Sequence, residues 1–350
     1  MLGRSLNLAP VACSDMRILL ICNYKPGVGG ISGQVEILQR ELRQEGHVAE
    51  IFSTKASFLR RLMLPLRLRH VARHYEIVHI HCCSGWGFLP AVVGITVGRW
   101  LKKRIVLTYH GGGGEAFFDK YARLVRHYLV RTDVNIVLSG FLAKAFDKHK
   151  IPCTIIPNII EFDKTQFRLR ERLQPHYICT RAHEKLYNIP CILRAFQKVQ
   201  VVIPDVKLVL VGDGDEHENL IKMVHDLNLK NVTFTGRVDN DDIYRQLDGA
   251  DIFLSSPMVD NMPVSVLEAM NAGLLVISSS VGGVPYMVEN NKTGLLFESG
   301  NDDELSKKML WAIMNQAESK AIIQQARYAV EDYCWDNIKE KLYTTYGIFS

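Results

Sequence analysis

The sequence contains no apolar stretch long enough to cross a bilayer and no C-x-x-C cysteine pair. The apolar run WGFLPAVVGITVG, residues 86–98, is well short of the roughly 20 residues that a helix needs to cross a bilayer, and it predicts a buried helix. The eight cysteines form no C-x-x-C pair, and several lie within apolar strand patterns such as ILLICNY and YICTR. This usage is typical of free thiols in a reducing cytoplasm, and it argues against a cysteine-based metal site.

The N-terminus also lacks a secretory signal pattern. Arg4 is followed by the short segment LNLAPVAC, which has too few apolar residues for the core of a signal peptide. Residues 1–15 predict an unstructured extension, because the first strand-like run, MRILLIC, begins at Met16. We expect truncation to Met16 to leave folding intact.

Positive charge is concentrated in the first half of the chain. The 350 residues are 47% hydrophobic and 23% charged, which suits two ordinary domains. The net charge of +5 divides into +12 for residues 1–160 and −7 for residues 161–350. The densest basic segment, FLRRLMLPLRLRHVARH at 58–74, predicts an amphipathic helix that is either solvated or faces an anionic membrane surface or acceptor. No aromatic-rich basic motif accompanies it, which argues against nucleic acid.

Strand-like and helix-like patterns alternate in two successive series. We predict an α/β protein with two doubly wound, Rossmann-like domains, 16–160 and 175–330, which face each other across a cleft. Residues 161–174 lack clean periodicity and predict a linker, and residues 331–350 predict a C-terminal helix. The predicted strands are 16–22, 47–53, 76–82, 104–110, 134–139, 154–158, 176–181, 206–212, 231–236, 251–256, 274–280 and 293–297.

A glycine-rich segment, YKPGVGGISGQ at 24–34, follows the first predicted strand and opens a helix. Glycines there let the backbone approach a phosphate at the helix N-terminus. The spacing of Gly27, Gly29 and Gly33 differs from the dinucleotide fingerprint, and no acid ends the second strand. The segment therefore predicts a phosphate or substrate loop, with a purely conformational loop as the alternative.

Three further motifs follow predicted strands, where ligands bind in open α/β sheets. His110 ends a strand before four glycines. There it can donate to a phosphate or sugar hydroxyl or handle a proton, with a structural histidine as the alternative. The D-x-D pair Asp213–Asp215 favours a turn over a metal site. Arg181 and Lys185 are candidate cations for a diphosphate, although Lys185 also has Glu184 as a surface partner.

The segment SSPMVDNMPVSVLEAMNAG, residues 255–273, places two carboxylates around a helix N-terminus. Pro263 suits the first helical position, with Asn261 or Met262 as the cap. Free N–H groups at this end predict a site for an anion or a hydroxyl group. Glu268 lies on an otherwise apolar helix face, where it can accept two hydrogen bonds from a diol such as a ribose. Asp260 lies outside the helix and can accept hydroxyls from a second sugar.

With these motifs the chain resembles the retaining glycosyltransferases of family 4, which have the two-domain GT-B architecture. The resemblance covers residues 16 to 345, and its most specific part is DNMPVSVLEAMNAGLLVISSSVGGVPYMVENNKTGLLF at 260–297. Supporting segments are EIVHIH, TYHG, IPN, LVGDG and FTGRV. The closing WDNIKEKL resembles the helix that returns to the N-terminal domain. The family binds a nucleotide-diphosphate sugar donor mainly in the C-terminal domain and an acceptor in the N-terminal one.

The resemblance also implies roles for individual residues. His110 and Asp260 would be the catalytic pair, with His110 near the anomeric carbon and Asp260 on hydroxyls of the donor sugar. Glu268 would hold the ribose, and no metal would be needed. The residues implied in donor binding are Gly29 and Gly30 over the diphosphate, Arg181 on the diphosphate, Val238 after Arg237 beside the base, and the backbone of Asn261, Met262, Pro263 and Val264.

Two departures from the family pattern affect the diphosphate contacts. The first acid is Asp260 where glutamate is more usual, which shortens its reach. The Lys-Gly that usually follows the arginine becomes Tyr187-Asn188 when the helix containing LRAF anchors the alignment. Lys185 is a candidate substitute for the lysine, provided that its loop turns inward.

The sequence thus predicts retaining, metal-independent transfer of a sugar from a UDP- or GDP-type donor, with no other cofactor. The acceptor is expected to be a glycan or a lipid-linked molecule in cell-surface polysaccharide or glycolipid synthesis. The expected location is the cytoplasm, peripheral to the inner membrane face. Three alternatives remain: a non-catalytic subunit of this architecture that binds a partner, a sugar-nucleotide epimerase, and a dinucleotide-dependent oxidoreductase, which the glycine spacing disfavours.

Overall fold

The computed structural model describes residues 15–26 and 30–347, and these residues contain two parallel six-stranded sheets. The first sheet has the strand order β2-β1-β3-β4-β5-β6. Its elements are β1 (Arg17–Cys22), α1 (Ile31–Gln44), β2 (Val48–Ser53), α2 (Phe58–Leu62), α3 (Leu64–Ala72), β3 (Ile77–Cys82), α4 (Leu89–Trp100), β4 (Arg104–Tyr109), α5 (Gly114–Lys120), α6 (Ala122–Leu129), β5 (Val134–Val137), α7 (Gly140–Lys148) and β6 (Thr154–Ile155).

The second sheet has the strand order β12-β11-β10-β7-β8-β9. Both orders reverse direction in the middle of the sheet, as doubly wound sheets do. The elements are β7 (His176–Cys179), α8 (Ile189–Val202), β8 (Lys207–Val211), α9 (His217–Asp226), β9 (Val232–Gly236), α10 (Asn240–Asp248), β10 (Ile252–Ser255), α11 (Val264–Ala272), β11 (Leu275–Ser279), β12 (Leu295–Phe297), α12 (Asp302–Met314), α13 (Gln316–Val330) and α14 (Trp335–Tyr346).

The predicted fold class is confirmed, and each predicted strand contains an observed one. The observed strands are shorter, most clearly β5 and β6, because the chain leaves the sheet while its side chains are still buried. Leu138 and Ser139, for example, are buried after β5 but already lead into α7. An apolar sequence pattern indicates which residues are buried, and burial continues past the last residue of β5.

Two predicted helices differ in outcome. The run 86–98 forms a short 3-10 turn and then α4, where Gly94 lets the helix approach β3 closely, since a Cβ there would lie 2.7 Å from Ile80 Cδ1. The prediction of one helix over 58–74 is wrong. The helix breaks at Met63, because Pro65 has no N–H to continue the ladder and instead occupies the first turn of a new helix, α3. Among the described helices, none is long and apolar enough to cross a bilayer.

The last helix, α14, packs on the first sheet although it follows the second. Ile338, Leu342 and Tyr346 share an apolar cluster with Ile18 of β1. Trp335 Nε1 also donates to Glu45 Oε1 at 3.0 Å. The chain therefore crosses between the two units twice, once through the segment after β6 and once before α14.

Arg170, in the segment between the two sheets, is buried and forms an ion pair with buried Asp251, its Nε lying 2.9 Å from Oδ1. Its other guanidinium nitrogens donate to backbone carbonyls, including that of Gly273 at 2.9 Å. A buried ion pair of this kind needs such additional hydrogen bonds to offset its desolvation. Arg170 thus attaches the linker to the second unit.

We predict that Arg170→Met lowers the free energy of unfolding by about 3–5 kcal/mol, because it leaves the Asp251 carboxylate buried and unpaired. The matched control is Arg168→Met, which removes a half-exposed pair with Asp248 and should cost less than about 1 kcal/mol. Urea denaturation followed by circular dichroism measures both. Equal losses in the two variants would contradict this account of the linker.

Candidate functional site

The two units meet where the loop after β4 touches the turn before α11. A Cβ placed on Gly112 would lie 3.2 Å from the carbonyl carbon of Asp260 and 3.3 Å from the nitrogen of Asn261. A larger residue at position 112 would therefore push against this turn, which glycine approaches without a clash. Since both segments follow the carboxyl ends of parallel strands, the contact lies where ligands bind in such sheets.

Two glycines in the loop after β11 pack against the backbone of the Asp260–Asn261 turn. Gly283 N donates to Asp260 O at 3.0 Å. A Cβ on Gly282, whose φ is +52°, would lie 1.8 Å from Asp260 O, and one on Gly283 would lie 1.7 Å from Asn261 O. This glycine pair was not among the predicted site residues, although glycines shortly after a buried strand are a usable signal of a tight loop.

Asn261 and Met262 are held by residues of the first unit. Ser139 Oγ donates to Asn261 Oδ1 at 2.6 Å, and Asn158 Nδ2 donates to Met262 O at 3.0 Å. Asn261 N is also used, because it donates to Asp260 Oδ1 at 2.8 Å. The backbone of these two residues was predicted to contact the donor. In the structure, the Asn261 side chain and the Met262 carbonyl bond to the first unit, and the Asn261 N–H bonds within the turn.

Helix α11 begins at Val264, so the prediction that Pro263 is its first residue is wrong by one position. Pro263 has φ −67° and ψ 111°, which is extended, and it is the N-cap residue itself. Asn261 and Met262 lie further out and do not cap the helix. No side chain caps this end, so the N–H groups of Val264 and Ser265 in the first turn remain available to a ligand.

Arg181, at the end of β7, is the cation of the site. Its Nη2 forms an ion pair with Asp260 Oδ2, and its Nη1 donates to Ser265 Oγ at 3.0 Å. Its guanidinium carbon lies 4.0 Å from the centre of the Tyr187 ring. Burial lowers the pKa of Arg181, but Asp260 and neighbouring groups raise it more, so the side chain stays charged. Its Nε is buried without a hydrogen-bond partner among the described residues.

The loop after Arg181 contains Tyr187-Asn188 in place of the expected Lys-Gly. Tyr187 stacks on Arg181, and burial raises the pKa of its hydroxyl. Asn188 has φ 45° and ψ 43°, a left-handed conformation that asparagine tolerates and glycine usually supplies. Lys185 is 85% exposed, and its Nζ lies 3.8 Å from Glu216 Oε1 rather than beside Glu184. The structure therefore does not bring Lys185 into contact with Arg181.

Glu268 is the second carboxylate of the site, on the inner face of α11. Burial, assisted by the negative charge of Glu161, raises its pKa to about 7, and Arg181 lowers it only in part. No hydrogen bond or ion pair to Glu268 is found within residues 15–26 and 30–347. A carboxyl group in this state has unused hydrogen-bonding capacity that a ligand can satisfy.

His110 lies directly after β4, and its ring is held by a second histidine. His110 Nε2 is 3.0 Å from His81 Nδ1, and burial lowers the pKa of His110 to about 4. His81 and its neighbour His79 were not singled out from the sequence, although the alternation in EIVHIHC places both on one face of a strand. His110 is neutral at physiological pH.

The remaining predicted residues lie around this centre. Gly29 is outside the described residues, while Gly30 has φ 68° and ψ −132° and precedes α1. Val238 is half-buried against the cluster that contains Val266 of α11, and Arg237 precedes it after β9. Their contacts with a donor stay predictions.

The D-x-D segment forms a turn, as the sequence favoured. Asp213 Oδ1 accepts from Gly214 N at 2.8 Å, and Asp213 O accepts from His183 N at 3.0 Å. Across the described parts of the chain, no group of three or more His, Cys, Asp or Glu side chains is arranged to hold a metal ion.

Comparison with known proteins agrees with this architecture. The family "Glycosyltransferase Family 4" matches residues 32–164, and the family "Glycosyl transferases group 1" matches residues 163–329. The chain is 24% identical over 306 residues to N-acetyl-alpha-D-glucosaminyl L-malate synthase of Bacillus anthracis, covering 81% of this chain and 78% of that protein. It is 27% identical over 330 residues to a GDP-mannose-dependent alpha-(1-6)-phosphatidylinositol monomannoside mannosyltransferase of Mycobacterium tuberculosis, covering 88% and 78%.

The fold is also that of a solved structure, HepE from Anabaena in complex with UDP and glucose. The TM-score is 0.78 at 18% identity, with 95% of this chain and 100% of that chain covered. Two parallel sheets that meet at their carboxyl edges, with a last helix returning to the first sheet, define the GT-B class. Because two successive family matches together span residues 32–329, the chain belongs to the GT-B glycosyltransferases of the family 4 type.

The raised pKa of Glu268 predicts a pH-dependent contribution to stability. Below about pH 4.5 the group is protonated in both the folded and the unfolded chain. Between pH 4.5 and about 7 the unfolded chain loses this proton while the folded chain keeps it, so the folded state loses stability as pH rises.

We therefore expect Glu268→Gln to become more stable than the wild type as pH rises from 5 to 8, by about 1–3 kcal/mol at the upper end. Thermal unfolding at both pH values measures the difference. Glu289→Gln, which changes an exposed carboxylate paired with Lys292, is the control and should show no such trend. A Glu268→Gln difference that stays constant with pH would contradict the assigned protonation state.

Proposed function

We propose that this glycosyltransferase moves a sugar from a UDP- or GDP-type nucleotide sugar to a glycan or lipid-linked acceptor, with retention and without a metal ion. The observation that carries the proposal is the convergence of Arg181, Asp260 and the half-buried Glu268 on the uncapped N-terminus of α11. This arrangement supplies one fixed cation, free backbone donors and two carboxylates, of which Asp260 is paired with Arg181 and Glu268 has a raised pKa.

Each part of a nucleotide-sugar donor has a chemically matched partner here. The diphosphate suits Arg181 and the N–H groups of Val264 and Ser265, because a helix N-terminus favours anions. The ribose hydroxyls suit Glu268, and the hydroxyls of the transferred sugar suit Asp260. These fixed charges and dipoles stabilise the negative charge that develops on the leaving diphosphate, which is the task that a metal ion performs in other transferases.

Retention follows from chemistry on one face of the sugar. The bond between the anomeric carbon and the phosphate oxygen breaks, and its electron pair leaves with the diphosphate. The acceptor oxygen then bonds to the anomeric carbon on the same face, and its proton passes to a phosphate oxygen. In this proposal the Asp260 carboxylate stabilises the positively charged, oxocarbenium-like form of the sugar, and His110 lies near the anomeric carbon.

The N-terminal unit carries an exposed surface suited to a lipid-linked acceptor. Trp86 and Trp100, 78% and 56% exposed, lie near the two ends of α4, about 20 Å apart. Arg61 and Arg69 stack on them, at 5.5 Å and 3.9 Å from the ring centres. We name this the aromatic–basic surface; it comprises Arg61, Leu62, Leu66, Arg69, Trp86 and Trp100.

Arginine together with exposed tryptophan and leucine suits a membrane interface with anionic lipid. The surface is also close to the site: Trp86 follows Ser84, whose nitrogen would lie 3.1 Å from a Cβ on Gly111 of the glycine loop. A membrane bound there would offer its acceptors near the cleft. We therefore propose a peripheral location on the cytoplasmic membrane face, in glycolipid or cell-surface polysaccharide synthesis.

A non-catalytic subunit is the second candidate, and the specific observation for it is Tyr187 in place of the expected lysine. The named activities of the relatives favour a transferase instead. No feature of the described residues favours an epimerase over a transferase.

The donor assignment predicts stabilisation by one nucleotide class. In thermal-shift measurements with UDP, GDP, ADP, their sugar conjugates and NAD, we expect one class to raise the melting temperature equally with and without a chelator, since binding to the folded state alone stabilises it. Loss of the effect with chelator would contradict metal independence. No shift with any nucleotide would favour the non-catalytic subunit.

With the donor identified, the same prediction extends to turnover. Asp260→Ala and Glu268→Ala should each lower activity about a hundredfold or more, while Glu289→Ala, on an exposed carboxylate, should not. Nuclear magnetic resonance of the product reports whether the anomeric configuration is kept. Near-wild-type turnover in both site variants, or an inverted product, would contradict the mechanism.

The membrane assignment predicts binding to anionic vesicles. The double variant Trp86→Ser, Trp100→Ser should reduce co-sedimentation with vesicles containing anionic lipid by about tenfold or more, because it removes the two largest exposed side chains of the aromatic–basic surface. Tyr328→Ser, which removes a 67% exposed ring on α13, is the control and should bind like the wild type. Equal binding by the double variant and this control would contradict a membrane role for the surface.

A further inference from the structure

Three histidines form a continuous group at the carboxyl end of the first sheet. His79 and His81 are both buried on one face of β3, and their ring centres are 4.3 Å apart. His110 follows the neighbouring strand β4, and its ring centre is 5.3 Å from that of His81. His81 is thus the residue that separates His110, in the site, from His79, in the core.

The hydrogen bonds of these rings leave two nitrogens without partners. Both nitrogens of His79 are engaged, Nδ1 with Tyr346 Oη and Nε2 with Thr108 Oγ1, each at 2.8 Å. His81 Nδ1 is paired with His110 Nε2 at 3.0 Å. Within the described parts of the chain, buried His81 Nε2 has no partner, and no hydrogen bond to His110 Nδ1 is found.

Counting protons decides which ring donates. Burial lowers the pKa of all three histidines, to about 3 for His79 and about 4 for His110, so each ring carries one proton at neutral pH. If His110 donated to His81, the proton of His81 would lie on Nε2 as a buried N–H with no acceptor among the described residues. Buried N–H groups without an acceptor are rare in folded proteins, because they lose their hydrogen bond to water and gain none in return.

If His81 instead donates to His110, no buried N–H of His81 is left without an acceptor. His81 then carries its proton on Nδ1 and donates it to His110 Nε2, and only a lone pair remains buried on His81 Nε2. His110, whose Nε2 accepts, must carry its own proton on Nδ1. That is the nitrogen of His110 that no described residue engages.

We propose that His81 is a positioning residue that fixes His110 as an Nδ1–H donor, directed to an oxygen of the sugar or the leaving phosphate of the donor substrate. This inference rests on the proposed function for the identity of the ligand, but not for the protonation pattern. It makes His110 a hydrogen-bond donor to substrate at neutral pH and not a base. His79 belongs to the fold, because its two bonds lead to Thr108 and to Tyr346 of α14.

The protonation pattern is tested without any turnover. In long-range proton–nitrogen correlation spectra of ¹⁵N-histidine-labelled protein, with His110→Gln used to assign the signal, we expect a protonated Nδ1 and an unprotonated Nε2 on His110. A protonated Nε2 would overturn the proposal. Because this measurement needs no substrate, it separates a failure of this inference from a failure of the proposed function.

The kinetic consequence is tested with three variants. His81→Phe removes the bond to His110 and should lower kcat about ten- to a hundredfold, with the KM for the donor changed by less than about threefold. His81→Asn should recover most of this loss, because its amide reaches the position of Nδ1. His79→Asn, the matched buried control, should keep kcat near that of the wild type. Wild-type kcat in His81→Phe, or no recovery in His81→Asn, would overturn the role of His81.

Discussion

The site depends on one constraint, the close packing of the Asp260–Asn261 turn between the two units. Gly282 and Gly283 support the turn from behind, Gly112 touches it from the first unit, and a Cβ at any of these positions would meet its backbone. This turn places Asp260 against Arg181. The uncapped N-terminus of α11 follows it in the chain. The charged groups of the site are therefore positioned by contacts from both units, so a change in how the units pack would also move the site.

Electrostatically, the site holds one buried cation against two carboxylates. Arg181 keeps its charge because Asp260 is paired with it, whereas Glu268, further along α11, is left with a pKa of about 7. The two acids consequently differ in environment, since one is in an ion pair and the other is not, although they belong to one segment of sequence. A ligand that donates hydroxyls to Glu268 and brings a diphosphate to Arg181 would satisfy both the unused carboxyl group and the unpartnered Nε of Arg181. These two groups are therefore part of the site that we propose for a nucleotide sugar.

Much of this fold and part of the site could be predicted from the sequence. The parallel sheets follow from buried strand patterns, Arg181 and His110 from their places at strand ends, and Asp260 from its place in the turn before a helix. Local patterns could not reveal pairings between distant residues, such as His81 with His110 or Ser139 with Asn261. They also failed where one backbone angle decided the outcome, as at Pro263, whose ψ of 111° moves the helix start to Val264.

The exchange of lysine for Tyr187 illustrates how a departure from a family pattern can be compensated. A lysine would add a second mobile cation to the diphosphate site, whereas Tyr187 adds a flat ring against the one cation present. Stacking on an aromatic ring is attractive for a guanidinium and restricts its rotamers, so Arg181 is oriented before a ligand arrives. An oriented cation loses less conformational freedom on binding a phosphate than a flexible one does. This preorganisation would offset part of the binding that a lysine would add. With Lys185 pointing to solvent, the diphosphate binding that we propose would depend on Arg181, on the ring that packs against it and on the N-terminus of α11.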